Sequence, residues 1–377
     1  MSSECKKIIV FGAGTMGEKF VYQYYDEIAI HCFWDNNKTG ECLGYSIQKP
    51  KFHKGSFIIV AVTDYMEIRR QLIQMGYHEF EDFIPSKIYK KKLAVAYGNC
   101  HMGIVKRYLE CSREFTLEYG FYPFPLIQEI KDMDIECQDI LRHCELFLHQ
   151  SIRKNNVYGE SYSSELMLKE VGKSCRVISI PNLYGMPKYL FPQIDVGHDW
   201  YKGSFRPFQI DRNVVSWIKN GKSKEYMISR IFRYGGVYSR TEILNMWENF
   251  KAKLQEREQE WDIKISDYIL QNYKKEKLFC DPNHITSRTA KEIASRILEY
   301  MGYKKDISIE LNGMDTREIP VYIDVKKALG LKFEDDVIRK YSTGDMALNN
   351  REMDTKEYID QLCMVTGFCM FQEGLEQ

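Results

Sequence analysis

The chain has 377 residues, 44 % of them hydrophobic and 14 % aromatic, enough apolar side chain for two or three buried cores. Its 53 basic residues balance its 53 acidic ones, so no net field draws it to nucleic acid or anionic lipid. The longest purely apolar run, residues 57–62, falls far short of the roughly 20 residues that span a bilayer. Lys6 and Lys7 pass straight into a strand-like run, without a secretory signal. The eleven cysteines are irregularly spaced and never form CxxC. They read as reduced thiols of a cytoplasmic protein, with no structural zinc.

Residues 1–90 alternate short apolar runs with helix-length amphipathic stretches, the pattern of a parallel sheet with crossover helices. A strand is predicted over 7–11, then the turn GAGTMG, then a helix that turns Phe20, Tyr24 and Tyr25 inward. A second strand over 28–34 ends at Asp35. A third over 56–62 leads to a helix with Ile68, Leu72, Ile73 and Met75 inward. Pro85 and the lysines at 90–92 interrupt the pattern and mark a boundary. A new strand at 93–97 turns through Gly98-Asn99-Cys100 into a helix with Ile104, Val105, Tyr108 and Leu109 on one face. Runs 144–149 and 176–180 read as further buried strands. From Asp211 to Tyr273 the pattern is helical and charged, and the stretch from Trp247 to Trp261 reads as a solvated helix face. Leu278 and Phe279 then lead into Asp281-Pro282-Asn283-His284. The helix that follows carries Ala290, Ile293, Ala294, Ile297, Leu298 and Met301 at helical spacing. Residues 305–377 hold no repeat and read as a packed extension.

Gly12-x-Gly14-x-x-Gly17 lies between a strand and a helix, the context of the dinucleotide fingerprint. Those glycines permit a tight turn and close approach of a pyrophosphate to the helix N-terminus. Asp35, 21 residues after Gly14, is placed to accept from ribose hydroxyls. The alternative is a turn that merely packs helix on sheet. An oxidoreductase ranks last, because no hydride-acceptor site is legible. The stretches FGAGTMG, FWDNNKTGECLGYSI and FIIVAVTD resemble the Rossmann-like N-terminal domain of sugar acyltransferases of the PglD type. That resemblance implies a nucleotide or nucleotide-sugar ligand.

Cys100 follows a buried strand and opens a helix, where the positive end of the helix dipole favours a thiolate. Asp281 and His284 stand in D-x-x-H before another helix, a spacing that lets the carboxylate turn back and orient the imidazole as base. The alternative reading makes Cys100 a small buried hydrophobe and His284 a loop or capping residue. Nucleophile first, then Asp and His near the domain end, is the chain order of SGNH-type hydrolases, with cysteine standing where those enzymes have serine.

Five ordered stretches, YGNCHMG, ELFLHQSIR, SYSSELML, VISIPNLYGMPKYLFPQ and DPNHITSRTAKEIASRIL, resemble the WcbI-type capsular-polysaccharide acetyltransferases. The resemblance implies binding of coenzyme A or acetyl-CoA and acyl transfer to a sugar hydroxyl. Carried over, Cys100 and His284 are the catalytic pair and Asp281 orients the histidine. Asn99 and Gln150 are candidates for the oxyanion hole, Gln150 otherwise satisfying backbone groups. The family commonly has Gln after GNC, where this chain has His101, a candidate ligand contact or rival general base. Gly98 in the same turn, and Arg153 beside Lys154, complete the expected cofactor contacts. The aromatic and basic segment 200–208 is a candidate wall for a sugar or adenine.

The expected architecture is α/β: a Rossmann-like parallel-sheet domain over 1–90, a larger SGNH-like α/β domain over 91–304 with a helical insertion, and an extension over 305–377. Expected partners are a small-molecule acyl donor and a sugar acceptor, and a homo-oligomer is compatible with the sequence. The competing readings are an esterase or thioesterase using the same residues, and a non-catalytic sugar-nucleotide-binding module.

Overall fold

Short apolar runs near the N-terminus, punctuated by glycine or polar turns, form the buried strands of a first sheet, and a polar stretch completes its edge. They build β1 (Lys7–Phe11), β2 (Ile30–Trp34), β4 (Tyr45–Gln48), β5 (Ser56–Val60) and β6 (Phe83–Pro85), with β3 (Gly40–Cys42) at one edge. The sheet order is β3-β4-β2-β1-β5-β6. All neighbours pair in parallel except β3 with β4. Helices α1 (Thr15–Tyr24) and α2 (Tyr65–Gln74) are the crossovers. Val10, Phe33 and Ile59 are fully buried in the core, with Phe20 and Tyr24 of α1 packed in the same cluster. This computed structural model describes residues 6–130, 135–156, 158–195, 210–311, 318–334, 352–360 and 362–363. The segment 200–208 lies outside the described residues.

Three expectations shift here. The inward face of α1 stops at Tyr24: Tyr25 is 68 % exposed, because it follows Tyr24 by about 100° of helix rotation. Ile73 stands in the same relation to buried Leu72 and is exposed, and Met75 is only half-buried. The polar stretch after Asp35 forms the β3–β4 hairpin, which the sequence reading left without strands. Leu43 and Gly44 both have positive φ, 51° and 80°, as a two-residue type I′ turn requires. Leucine in the first turn position hides a signal that asparagine or aspartate would carry.

A second sheet follows in the order β10-β9-β7-β8. Its strands are β7 (Lys92–Tyr97), β8 (Tyr119–Phe121), β9 (Leu146–Gln150) and β10 (Arg176–Ile180), with β7 and β8 parallel. The predicted strands at 93–97, 144–149 and 176–180 all appear. Helix α3 (Cys100–Leu109) follows β7, and α4 (Arg113–Glu118) precedes β8. Two more helices, α5 (Ile135–His143) and α6 (Ser164–Glu170), precede β9 and β10.

After β10 the two short strands β11 (Ile194–Asp195) and β12 (Ile210–Asp211) pair antiparallel. The helical insertion then comprises α7 (Arg212–Lys219), α8 (Lys224–Ile228), α9 (Arg240–Glu258) and α10 (Ser266–Asn272). Helix α9 is not a solvated face. Ile243, Trp247, Phe250 and Leu254 are buried at 4-3-4 spacing, one helical stripe, and Trp261 beyond them is 3 % exposed. The Trp247 ring stacks on Tyr273, with centroids 4.1 Å apart, so the charges of α9 flank a packed stripe.

The strands β13 (Phe279–Asp281) and β14 (His284–Ile285) form a tight antiparallel pair ahead of α11 (Ser287–Met301). Thr286 caps α11 by accepting from Thr289 N, and Gly302 ends it at φ 87°. Helix α12 (Ile323–Leu329) belongs to the expected packed extension. Its Asp324 carboxylate accepts from the backbone of Gly236, Val237 and Tyr238, and the Tyr322 hydroxyl donates to Asp211.

The chain divides into two compact units, residues 1–97, 114–148 and 154–177 in one, and 98–113, 149–153 and 178–377 in the other. Among the described residues no helix is long and apolar enough to cross a membrane.

Candidate active site

The turn after β7 is held by a buried amide. Gln150 is fully buried at the end of β9, its Oε1 accepting from Asn99 N at 2.8 Å and its Nε2 donating to Pro181 O at 3.1 Å. A Cβ on Gly98 would sit 2.5 Å from Gln150 Oε1 and 2.9 Å from Met102 Cβ, so only glycine fits there. The Gln150 amide is thus committed to backbone groups that shape the turn.

Asn99 caps α3. Its Oδ1 accepts from His101 N at 3.0 Å, and its Nδ2 donates to Asn182 Oδ1 at 3.4 Å. Cys100 is the first helical residue and half-buried. At that position the backbone N–H has no intrahelical acceptor, and the thiol lies at the positive end of the helix dipole.

Asp281 shapes the second half of the site. It is 1 % exposed, and its Oδ1 accepts from Asn283 N at 2.7 Å and His284 N at 2.9 Å. The same carboxylate accepts from His284 Nδ1, at 2.8 Å to Oδ2. Nδ1 therefore carries a proton toward Asp281, which leaves Nε2 for a second partner, and Cys100 is close enough to act on the ring's titration. Burial alone would lower the basicity of this imidazole. The Asp281 carboxylate and the Cys100 sulfur outweigh it and lift the pKa to about 9.

His101 is buried between these halves, 2 % exposed, with its Nε2 donating to Asn283 O at 2.5 Å. A carbonyl can only accept, so Nε2 carries the proton. Burial, then the neighbouring His284, push its pKa down to about 4. A ring so weakly basic and committed to a carbonyl is poorly suited as the rival base. It ties α3 to the Asp281–His284 turn, its centroid 6.3 Å from that of His284. Its Nδ1 is buried without a hydrogen-bond partner, as is Asn283 Oδ1.

Two residues that the sequence reading passed over complete this arrangement. Asn182 follows β10 and joins three segments: it accepts from Asn99, donates to Ser151 O at 3.4 Å, and accepts at its own carbonyl from Arg257 Nη1 at 3.4 Å. Asn99, Gln150 and Asn182 each lie at or just beyond the carboxyl end of a strand, where α/β sheets collect ligand sites, and that rule was the available signal. Arg153 lies exposed two residues beyond Ser151. Among the described residues no group of three or more His, Cys, Asp or Glu side chains is arranged to hold a metal ion.

The glycine-rich turn has its own internal bonding. Asp35 Oδ2 accepts from Ala13 N at 3.0 Å, and Oδ1 accepts from Asn37 N and Lys38 N, each at 2.8 Å. Burial would raise this carboxyl's pKa, but those three donors and the Lys38 charge hold it below the ordinary value. Asp35 closes the turn through these bonds. Gly12 and Gly17 are required by packing: a Cβ on Gly17 would lie 1.9 Å from Gly12 O, and one on Gly12 2.6 Å from Ala61 O. Gly14 differs, since its Cβ would meet only Lys38 Nζ, at 3.8 Å. Gly17→Ala is expected to lower unfolding stability by about 1–3 kcal/mol or more, and Gly14→Ala to change it by less than about 0.5 kcal/mol, both read from urea melts.

A buried strand–GNC–helix turn beside a D-x-x-H turn makes a candidate cysteine-histidine-aspartate site on an α/β fold. Residues 93–306 match the family model of the polysaccharide biosynthesis enzyme WcbI, and the chain belongs to that family. A solved structure of WcbI, described as a novel polysaccharide biosynthesis enzyme, matches with a TM-score of 0.61 and 18 % identity. The match covers 74 % of this chain and 90 % of that one. That structure is of a native form without a disulfide bond between coenzyme A and one of its cysteines. At this identity the likeness is one of fold. No curated protein matches the chain in sequence.

Proposed function

We propose that this protein is a coenzyme A-dependent acyltransferase that moves an acetyl group to a sugar hydroxyl during surface-polysaccharide biosynthesis. The observation that carries the reading is the Asp281–His284 hydrogen bond, with Cys100 close enough to influence the same ring. The coenzyme A named with the WcbI structure supports the donor. In this reading residues 91–304 are the acyltransferase domain, and residues 1–90 hold a nucleotide-linked sugar. Reduced thiols and a thioester donor suit the cytoplasm.

The geometry favours a covalent route. His284, protonated at neutral pH, holds at Nε2 the proton that Cys100 gives up, and the cysteine sulfur attacks the thioester carbonyl. In this reading the Cys100 N–H and the Asn99 amide serve the developing oxyanion, and Gln150, which accepts from Asn99 N, holds the turn. The carbon–sulfur bond to coenzyme A breaks, and His284 returns its proton to the departing thiolate. His284 then takes the proton of the sugar hydroxyl as that oxygen attacks acyl-Cys100, and the cysteine leaves and recovers its proton.

His284 must be protonated to release the coenzyme A thiolate. With its pKa at about 9, kcat/KM is expected to hold through neutral pH and fall as pH rises through that value. A pH–rate profile checks this; a descending limb near the ordinary histidine value of about 6.5 would show that Asp281 does not support the ring.

The reading is tested by following free thiol released from acetyl-CoA, with and without oligosaccharide acceptors. Release that depends on an acceptor, with the acetyl group recovered on the sugar, is the expected result. Steady release of acetate without acceptor would make the protein a thioesterase using the same residues. No release under either condition would remove the acyltransferase reading.

A further inference from the structure

Arg257, near the end of α9, is half-buried, yet no carboxylate pairs with its guanidinium among the described residues; Glu256 and Glu260 beside it are exposed. Its hydrogen bond goes to the Asn182 carbonyl. The Asn182 side chain in turn reaches Ser151 O, which places the chain just ahead of Arg153 against the same residue. Arg257 and Arg153 are close enough that, after burial, Arg153 is the main influence lowering the Arg257 pKa. Burial and the Arg153 charge outweigh Glu256 and Glu260, which act the other way, so this partly desolvated position favours an incoming anion. The same Asn182 accepts from Asn99, the cap of the nucleophile helix. Chaining these contacts puts the Arg257 guanidinium within roughly 11 Å of the Asn99 amide.

We infer that Arg153 and Arg257 form an anion subsite beside the nucleophile turn, and that it takes a phosphate group of the coenzyme A donor. This rests on the acyltransferase reading and extends it to a residue from the helical insertion. Guanidinium forks match phosphate oxygens in pairs, and a half-buried arginine is preorganised for that role. Asn182 positions Arg257 against Arg153 and ties both to the turn that carries Cys100.

The test is calorimetric titration of the full chain with coenzyme A and, separately, with pantetheine, which has the same thiol arm without phosphates. Arg257→Gln is expected to weaken coenzyme A binding by about 10- to 100-fold and to leave pantetheine binding unchanged. Arg257→Lys, which keeps the charge and loses the fork, should fall between. Wild-type binding with no loss in Arg257→Gln would overturn the subsite alone. Equal losses for both ligands would overturn it too, assigning Arg257 to support of Asn182. A wild-type protein that binds neither ligand would overturn the subsite together with the acyltransferase reading.

Discussion

Cys100→Ala is expected to abolish acyl transfer, and His284→Ala to lower kcat/KM by about 10²–10⁴, the range for loss of a positioned general acid–base. The two side chains act as one unit. Asp281 holds Nδ1 at 2.8 Å and so turns Nε2 away from itself, while Cys100 opens α3 directly after its Asn99 cap. The double variant should therefore be little worse than the more damaging single one. Steady-state kinetics on the three proteins, with circular dichroism as a folding control, check this. Multiplying losses would mean that the residues work independently. Near-full activity in Cys100→Ala would move the chemistry to direct attack by the sugar hydroxyl.

The second large effect is expected at Asp281. Its carboxylate is almost fully buried and serves three donors, two backbone N–H groups and the His284 ring. Asp281→Ala strands all three and should cost about 3–5 kcal/mol, the range for breaking a buried pair on one side. The loss should depend on pH. The His284 pKa is raised from 6.5 to about 9, so its stabilising charge is fully present below pH 6.5 and is lost as pH rises through 9. That contribution, about 3 kcal/mol by linkage, should shrink in the variant to the part that Cys100 supplies. His101 has the opposite sign: its pKa is lowered to about 4, so stability falls as pH drops from 6.5 through 4. That acid limb should survive in Asp281→Ala. Urea melts from pH 5 to 9.5 read both limbs. A variant that keeps the wild-type alkaline slope would show that the Asp281–His284 pair does not set it.

Much of this was legible because local chemistry and global placement agree. Apolar runs of strand length, each followed by a glycine-rich or capping turn and then a helical period, reveal β1, β5 and β7, and with them the turn that carries Cys100. D-x-x-H reveals its own geometry, since a carboxylate three residues ahead of a histidine can bond both its N–H and its ring. Other features depend on the fold and leave little local trace. Asp35 matches a ribose-binding residue in spacing, and the three backbone N–H groups that its oxygens accept from appear only once the turn forms. Gln150 reads equally as an oxyanion donor or a backbone prop until Asn99 N and Pro181 O are brought to its two ends. The charges of α9 mask its buried stripe, because residues at 4-3-4 spacing are conspicuous only when helix phase is followed through them. Arg257 lies more than 150 residues from Cys100 in sequence, and only the contacts through Asn182 connect them.

The account's central claim is that Cys100 accepts the acyl group with His284 as its proton carrier. Intact-protein mass spectrometry after brief exposure to acetyl-CoA without acceptor, followed by peptide mapping, tests it most directly. The expected result is one acetyl group on Cys100 in the wild-type protein, strongly reduced in His284→Ala, absent in Cys100→Ala and discharged when the sugar acceptor is added. An unmodified Cys100 in a protein that binds acetyl-CoA and still transfers the acetyl group would contradict the claim.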